Sequence, residues 1–135
     1  MTESSSSSAQ TTTEVGPLKY MAPESLLERT YSSKSDVWAF GITVMEIITR
    51  AEPYPEFDAL MAATKVTHGL RPTIPSNVHP DLQTLLTDCW KTSPTDRPDF
   101  EKVFYFSPTL FFSMLNLTLS QICSRLEYIP SLTKK

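Results

Sequence analysis

Hydroxyl side chains near the amino terminus are the first groups in this sequence that could take part in chemistry. Eight of them lie between residues 4 and 13, namely Ser4, Ser5, Ser6, Ser7, Ser8, Thr11, Thr12 and Thr13. Each could accept a phosphoryl group, and the added charge would then bind arginine side chains. The same composition is also typical of a solvated segment, because it offers almost nothing to bury. We predict a disordered tail over residues 1–15, in which phosphorylation of these hydroxyls is the alternative role.

The cysteines and histidines do not form a pattern that binds a metal ion. Cys89 and Cys123 are not in CxxC spacing, and neither His68 nor His79 has further ligands at metal-binding spacing. Reduced thiols and the lack of a signal-peptide pattern favour a cytoplasmic protein. The net charge is −3 and no run of Lys or Arg is present, which argues against nucleic-acid binding.

A mostly apolar stretch at residues 33–49 is the element that would position the other groups. Serines and Asp36 open it, where side-chain oxygens cap free backbone N–H groups and an acidic charge suits the helix dipole. Its apolar residues are Val37, Trp38, Phe40, Ile42, Val44, Met45, Ile47 and Ile48. They cover most of the helix circumference, which predicts a helix buried on all sides. It is too short for a membrane span, which takes about 20 mostly apolar residues.

Several short motifs resemble the C-terminal lobe of protein kinases, in the order of that family. Met21-Ala22-Pro23-Glu24 resembles the motif that ends the kinase activation segment. Residues 31–41 resemble the start of kinase helix F, residues 53–54 the turn after it, and residues 57–66 the next helix, G. Residues 68–75 resemble the Gly-x-Arg-Pro loop that follows helix G, and residues 82–90 resemble helix H. Residues 94–100 resemble the Asp-Arg-Pro element before the last helix, I. In the helix H match, apolar residues recur at the spacing of an amphipathic helix.

The resemblance also indicates a branch of the family. Pro17-Leu18-Lys19-Tyr20-Met21 is similar to the loop of tyrosine kinases and tyrosine-kinase-like kinases, whereas typical Ser/Thr kinases carry Gly-Thr there. Cys89-Trp90 points the same way. Which hydroxyl such a kinase would phosphorylate is left open by these residues.

The resemblance implies structural roles for individual residues. Glu24 would form an ion pair with Arg97, which ties the substrate-docking loop to the helical core. That loop is made of Gly16, Pro17, Leu18, Lys19, Tyr20 and Met21. In the family the acidic residue at the position of Asp36 accepts backbone N–H groups of the catalytic loop, but in this sequence only its role as a first-turn helix charge is available.

Other motifs of the family are missing from the sequence. There is no Gly-rich loop, no Val-Ala-Ile-Lys strand, no His-Arg-Asp followed by Asn, and no Asp-Phe-Gly. Those groups hold ATP, magnesium and the attacking hydroxyl during phosphoryl transfer. The complete family domain would bind ATP and Mg, whereas for this chain alone we predict no catalytic residue, no cofactor and no activity.

The function implied by the resemblance is that of a kinase fragment, from a truncated gene model or a longer protein. Its parent would transfer phosphate from ATP to Ser, Thr or Tyr of a protein substrate. The alternative is a non-catalytic fragment that binds or regulates another protein.

An uncharged, apolar stretch interrupts the last helix of the resemblance, over residues 103–120. Deleting it would join Lys102 to Gln121 and restore the family's spacing, so we interpret it as an insertion of translated non-coding sequence. A membrane anchor over residues 103–124 is the weaker alternative, since Pro108 and Asn116 are unfavourable there. An ordinary helical extension is the third.

The predicted fold is all-α, a partial kinase C-lobe over residues 16–129 with a tail at 130–135. We expect a short helix after Pro23 and longer ones near residues 36–49, 57–66 and 80–90. A long terminal helix would follow, and no sheet is predicted.

Overall fold

A computed structural model describes residues 17–105 of the chain. It contains five α-helices, α1 (Pro23–Glu28), α2 (Ser33–Thr49), α3 (Ala59–Thr67), α4 (Pro80–Cys89) and α5 (Phe100–Tyr105), with 3-10 turns at Pro17–Tyr20 and Pro94–Asp96. No strand occurs within this range, so the all-α prediction is confirmed for it. Apart from Val103 to Tyr105, the predicted insertion lies outside the described residues, as do the tails.

The start of α2 is fixed by serine side chains, as its sequence predicts. Ser32 Oγ accepts a hydrogen bond from Lys34 N at 3.2 Å, and Ser35 Oγ accepts one from Ser32 N at 2.8 Å. These bonds satisfy backbone N–H groups that have no partner within the helix. The helix ends at Thr49 and is capped by Arg50, whose φ of 53° is left-handed and whose N–H donates to Glu46 O. The structure thus begins α2 three residues before the expected residue 36 and ends it at the expected residue 49.

Helix α2 is the centre of the core, although it is not buried on every side. Val37, Trp38 and Ile42 are fully buried, and Val44 and Met45 nearly so. The prediction of complete burial is wrong for the described part of the chain, because Ile47 is 52% exposed and Phe40 and Ile48 are only half-buried. Within residues 17–105, the packed elements cover only one side of α2.

Helices α2 and α4 approach each other closely at Gly41. A Cβ atom added there would lie 2.7 Å from Trp90 Nε1 and 3.0 Å from Cys89 Cβ. Such distances leave no room for a side chain, so glycine is required by the packing. The apolar face of α4, including Leu82, Leu85 and Leu86, is buried as the periodicity predicts.

The remaining helices pack around this pair. Helix α3 contacts the 3-10 turn at Pro17–Tyr20 and helix α1. Helix α5 buries Val103, and its Phe100 ring meets Phe40 edge-on with the ring centroids 6.2 Å apart. Among the described residues, no helix has the length and apolar character needed to cross a membrane.

Candidate functional site

Arg97 and Glu24, which lie 73 positions apart in the sequence, form a bidentate ion pair. Arg97 Nη1 donates to Glu24 Oε1 at 2.6 Å and Nη2 donates to Oε2 at 2.8 Å. Arg97 is only 2% exposed. Its remaining donors reach the carbonyl oxygens of Lys91, Lys34 and Thr92. The structure therefore brings together the two residues for which the resemblance implied an ion pair, with two parallel charge-assisted bonds.

The pKa of the Glu24 carboxyl is the balance of opposing contributions. Burial on its own would raise the pKa, because it disfavours the charged form. Hydrogen bonds from Arg97 and from the backbone N–H of Glu24, together with the charge of Arg97, outweigh burial and lower the pKa. The carboxylate is therefore kept ionised beside the guanidinium at neutral pH.

Lys34 forms further polar contacts beside the Glu24–Arg97 pair. Its Nζ donates to Arg97 O at 2.6 Å and lies 2.6 Å from Asp99 Oδ1. Sequence reasoning missed Lys34, although its place in the first turn of α2 and the acidic Asp99 are both visible in the sequence. What the sequence does not show is that residues 63 positions apart meet at this point.

Trp38 of helix α2 lies under two guanidinium groups. The central carbon of Arg71 is 4.6 Å from the centre of the Trp38 ring, and that of Arg97 is 5.0 Å from it. Arg71 donates from Nε to Trp90 O at 2.7 Å and from Nη1 to Leu70 O at 2.8 Å. The indole thus contacts both cations at the junction of the loop after α3 and the loop after α4.

The predicted docking loop is attached to α2 and to the turn that follows it. Tyr20 OH donates to Glu46 Oε2 at 2.7 Å, and this bond, followed by burial, raises the pKa of the Tyr20 phenol. The buried Lys19 donates to Tyr54 O at 3.3 Å and pairs with Glu52 at 3.3 Å. Glu46 and Glu52 are partners that sequence reasoning missed. Gly16, the first residue of the predicted loop, lies outside the described residues.

A cavity of about 240 Å³ opens between the end of α2 and the loop after α3. Its walls include Glu46, Glu52, Tyr54 and Arg71. Tyr54 adopts a left-handed backbone with a φ of 47°, which is unusual for a bulky residue. Its buried hydroxyl has no hydrogen-bond partner among the described residues, and burial strongly raises the pKa of the phenol.

The other predicted site residues are placed as follows. Asp36 lies exposed in the first turn of α2, as its predicted role as a helix charge requires. The hydroxyl residues from Ser4 to Thr13 lie outside the described residues. Cys89 is buried between α2 and α4, and burial raises the pKa of its thiol to about 12. No cluster of potential metal ligands occurs within residues 17–105.

Taken together, these contacts form a platform that holds a short loop against a helical core. We call the residues that do this, Lys19, Tyr20, Glu24, Glu46 and Arg97, the docking platform. Its chemistry is that of positioning, since each group is held by a hydrogen bond or an ion pair with a defined partner.

Comparison with known proteins identifies the family to which these residues belong. A model of the protein tyrosine and serine/threonine kinase family matches residues 1–106. The chain is 43% identical over 93 residues to the serine/threonine-protein kinase STY46 of Arabidopsis thaliana, which is 68% of this chain and 16% of that protein. It is 42% identical over 96 residues to the human tyrosine-protein kinase ABL2, which is 70% of this chain and 8% of that protein.

The chain therefore belongs to the protein kinase family. It spans less than a fifth of the length of either of these relatives, and it matches kinases named for tyrosine and kinases named for serine or threonine. The family's complete domain uses ATP and Mg²⁺. The described helices are a part of its C-terminal lobe.

Proposed function

We propose that this chain supplies the substrate-docking and scaffold part of a protein kinase domain. The complete domain would transfer a phosphoryl group from ATP to Ser, Thr or Tyr of a protein substrate. The bidentate contact of Arg97 with Glu24 is the observation that carries this proposal, because it anchors the helix behind the docking loop to the core. The bonds of Tyr20 and Lys19 to α2 and its following turn add to the support.

We further propose the tyrosine or tyrosine-kinase-like branch and a cytoplasmic setting. The segment Pro17 to Met21 and the pair Cys89-Trp90 support the branch. The relatives include tyrosine kinases together with serine/threonine kinases, so the phosphorylated hydroxyl stays open. The buried Cys89 is a free thiol, which suits a reducing compartment.

A chimera tests the scaffold role. Residues 17–105 would replace the matching segment of a complete kinase domain, for example that of human ABL2. We expect the chimera to phosphorylate a peptide, and we expect Glu24→Gln to abolish most of that activity. Glu28→Gln, at an exposed position of the same helix, is the matched control. A chimera that folds and binds ATP but phosphorylates no peptide would overturn the proposal.

The chain on its own is proposed to bind no nucleotide. A site occupied at one hundred times its Kd would stabilise the folded state by about 2.7 kcal/mol, which a thermal melt detects easily. We therefore expect the same Tm with and without millimolar ATP and Mg²⁺. A rise in Tm with ATP would contradict this part of the proposal. Binding of the chain to another protein in the absence of nucleotide would favour the alternative, a non-catalytic binding or regulatory fragment.

A further inference from the structure

Arg71 is a half-buried cation whose described partners are all uncharged. Its guanidinium donates to the carbonyl oxygens of Trp90, Leu70 and Val66, and the outer nitrogen, Nη2, donates to Thr92 Oγ1 at 3.1 Å. No carboxylate within residues 17–105 lies within ion-pair distance of it. Burial lowers the pKa of this guanidinium; Tyr54 opposes the lowering, and the charge of Arg97 adds to it. Within the part of the chain that the structure describes, the positive charge of Arg71 is therefore not neutralised by a carboxylate.

The Thr92 hydroxyl is the solvent-exposed member of the set of groups that Arg71 contacts. Thr92 is exposed in the loop after α4, and it borders a surface groove of about 370 Å³ with Arg71, Lys91 and Trp90 in its walls. The ammonium group of Lys91 is 3.8 Å from Asp88 Oδ1, a long and exposed ion pair. One cation, held by backbone carbonyls, thus contacts an accessible hydroxyl, and Lys91 lines the same groove.

We propose that Thr92 is a phosphorylation site whose phosphate is bound by Arg71. After phosphorylation Oγ1 becomes the ester oxygen 3.1 Å from Nη2, so the charged oxygens on the same phosphorus lie within reach of the guanidinium for a charge-assisted bond. The phosphate would supply the negative charge that Arg71 lacks among its described partners, and Lys91 lies beside it. This inference does not depend on the proposed scaffold role.

The reaction requires a second protein kinase, acting in trans with a nucleoside triphosphate. Thr92 Oγ1 attacks the γ-phosphorus, and a bond between that oxygen and phosphorus forms. The bond from the γ-phosphorus to the β–γ bridging oxygen breaks, and the nucleoside diphosphate leaves. The hydroxyl proton passes to the base of the acting kinase.

The consequence is a tighter junction beside the docking platform. Arg71 belongs to the loop after α3, and Thr92 belongs to the loop after α4. The carbonyl oxygen of Thr92 also accepts a bond from Arg97 at 3.4 Å. A phosphate bound by Arg71 would therefore join these two loops next to the Glu24–Arg97 pair.

Phosphorus NMR of the full chain tests the contact. Phosphothreonine is placed at position 92 by genetic encoding, and at position 95 as the matched control. Thr95 is also exposed, and among residues 17–105 its hydroxyl forms a hydrogen bond only with Ser93 Oγ, at 2.9 Å. The second pKa of a free phosphate ester is about 6. We expect the value at position 92 to lie roughly 0.5–1 pH unit below that at position 95, because Arg71 favours the dianion.

Substitution of the arginine and analysis of the natural protein complete the test. In Arg71→Gln the difference between the two positions should disappear. If that variant does not fold, the comparison of positions 92 and 95 in the unchanged background still decides the question, and equal values overturn the proposal. Mass spectrometry of the protein from cells treated with phosphatase inhibitors should find phosphate on Thr92. Phosphate confined to Ser93 or Thr95, or absent from all three, also overturns it.

Discussion

Two arginines share the Trp38 ring, yet they contribute to the structure in different ways. Arg97 is buried and paired with a carboxylate that lies 73 positions away in the sequence. Arg71 is half-buried and bonded to nearby carbonyl oxygens and a hydroxyl. The first joins distant parts of the chain through opposite charges, and the second braces a local junction. The comparison teaches that a guanidinium removed from water can be stabilised in two ways. Arg97 is stabilised by the opposite charge of Glu24, whereas Arg71 is stabilised by backbone carbonyl oxygens.

The largest effect is expected when the charge partner of Arg97 is removed. Glu24→Gln keeps the shape of the side chain but leaves a buried guanidinium without its anion. Loss of one member of a buried pair costs about 3–5 kcal/mol, mostly because the other charge is stranded. We expect a loss of that size in the free energy of unfolding, measured by urea denaturation.

The matched control for this prediction is Glu28→Gln. Glu28 lies at the exposed end of the same helix, so its neutralisation should change stability by less than about 0.5 kcal/mol. Equal losses in the two variants would show that the Arg97 contact contributes little. A Glu24→Gln chain that fails to fold, beside a Glu28→Gln chain that folds, agrees with the prediction.

A smaller loss is expected when Arg71 is replaced by glutamine. The carbonyl oxygens of Trp90 and Leu70 lose their donor, but no opposite charge is left behind. Unsatisfied buried groups of this kind cost about 1–3 kcal/mol. Thermal and urea unfolding measure the change, with Arg50→Gln at an exposed position as the control. If Arg71→Gln were as costly as Glu24→Gln, the distinction between the two arginines would be wrong.

The sequence predicts the helices and the motif residues better than it predicts the individual side-chain contacts between them. Serines before Asp36 predict the capped start of α2, and the leucine spacing after residue 80 predicts the buried face of α4. The resemblance of Ala22-Pro23-Glu24 and Asp96-Arg97-Pro98 to motifs of the family singled out Glu24 and Arg97. These features depend on short-range spacing or on motifs, which a sequence displays directly.

The contacts of Arg71, Lys19 and Lys34 could not be predicted in the same way. Their partners are largely backbone carbonyl oxygens, and every residue carries one, so residue type gives no signal. The exposed side of α2 was missed for a related reason. Apolar residues around a helix predict burial, but they do not reveal which neighbouring segment covers each side.

The hydroxyl of Tyr20 is expected to contribute less than either arginine. Tyr20→Phe removes the bond to Glu46 while leaving the ring in place. Because this bond is only partly buried, its loss should lower the free energy of unfolding by roughly 1 kcal/mol. Tyr31→Phe is the control, since Tyr31 is exposed. A loss of several kcal/mol would place the docking loop, rather than the Glu24–Arg97 pair, at the centre of the platform's stability.

The smallest effect is expected from mild acidification to a pH still above the folded-state pKa of Glu24, where only a minor fraction of its carboxylate is protonated, and titration of this group tests its charge directly. Its pKa is lowered in the folded state, so its carboxylate stabilises the fold above the unfolded-state pKa of about 4.3. That contribution is lost as the pH falls through the lower, folded-state pKa. Burial, which alone would raise this pKa, opposes the hydrogen bonds from Arg97, which lower it. Carbon NMR of the Glu24 carboxyl should give a midpoint below that of glutamate in an unstructured peptide. A midpoint above that reference would mean that burial dominates at Glu24, and the two arginines would then differ less than their partners suggest.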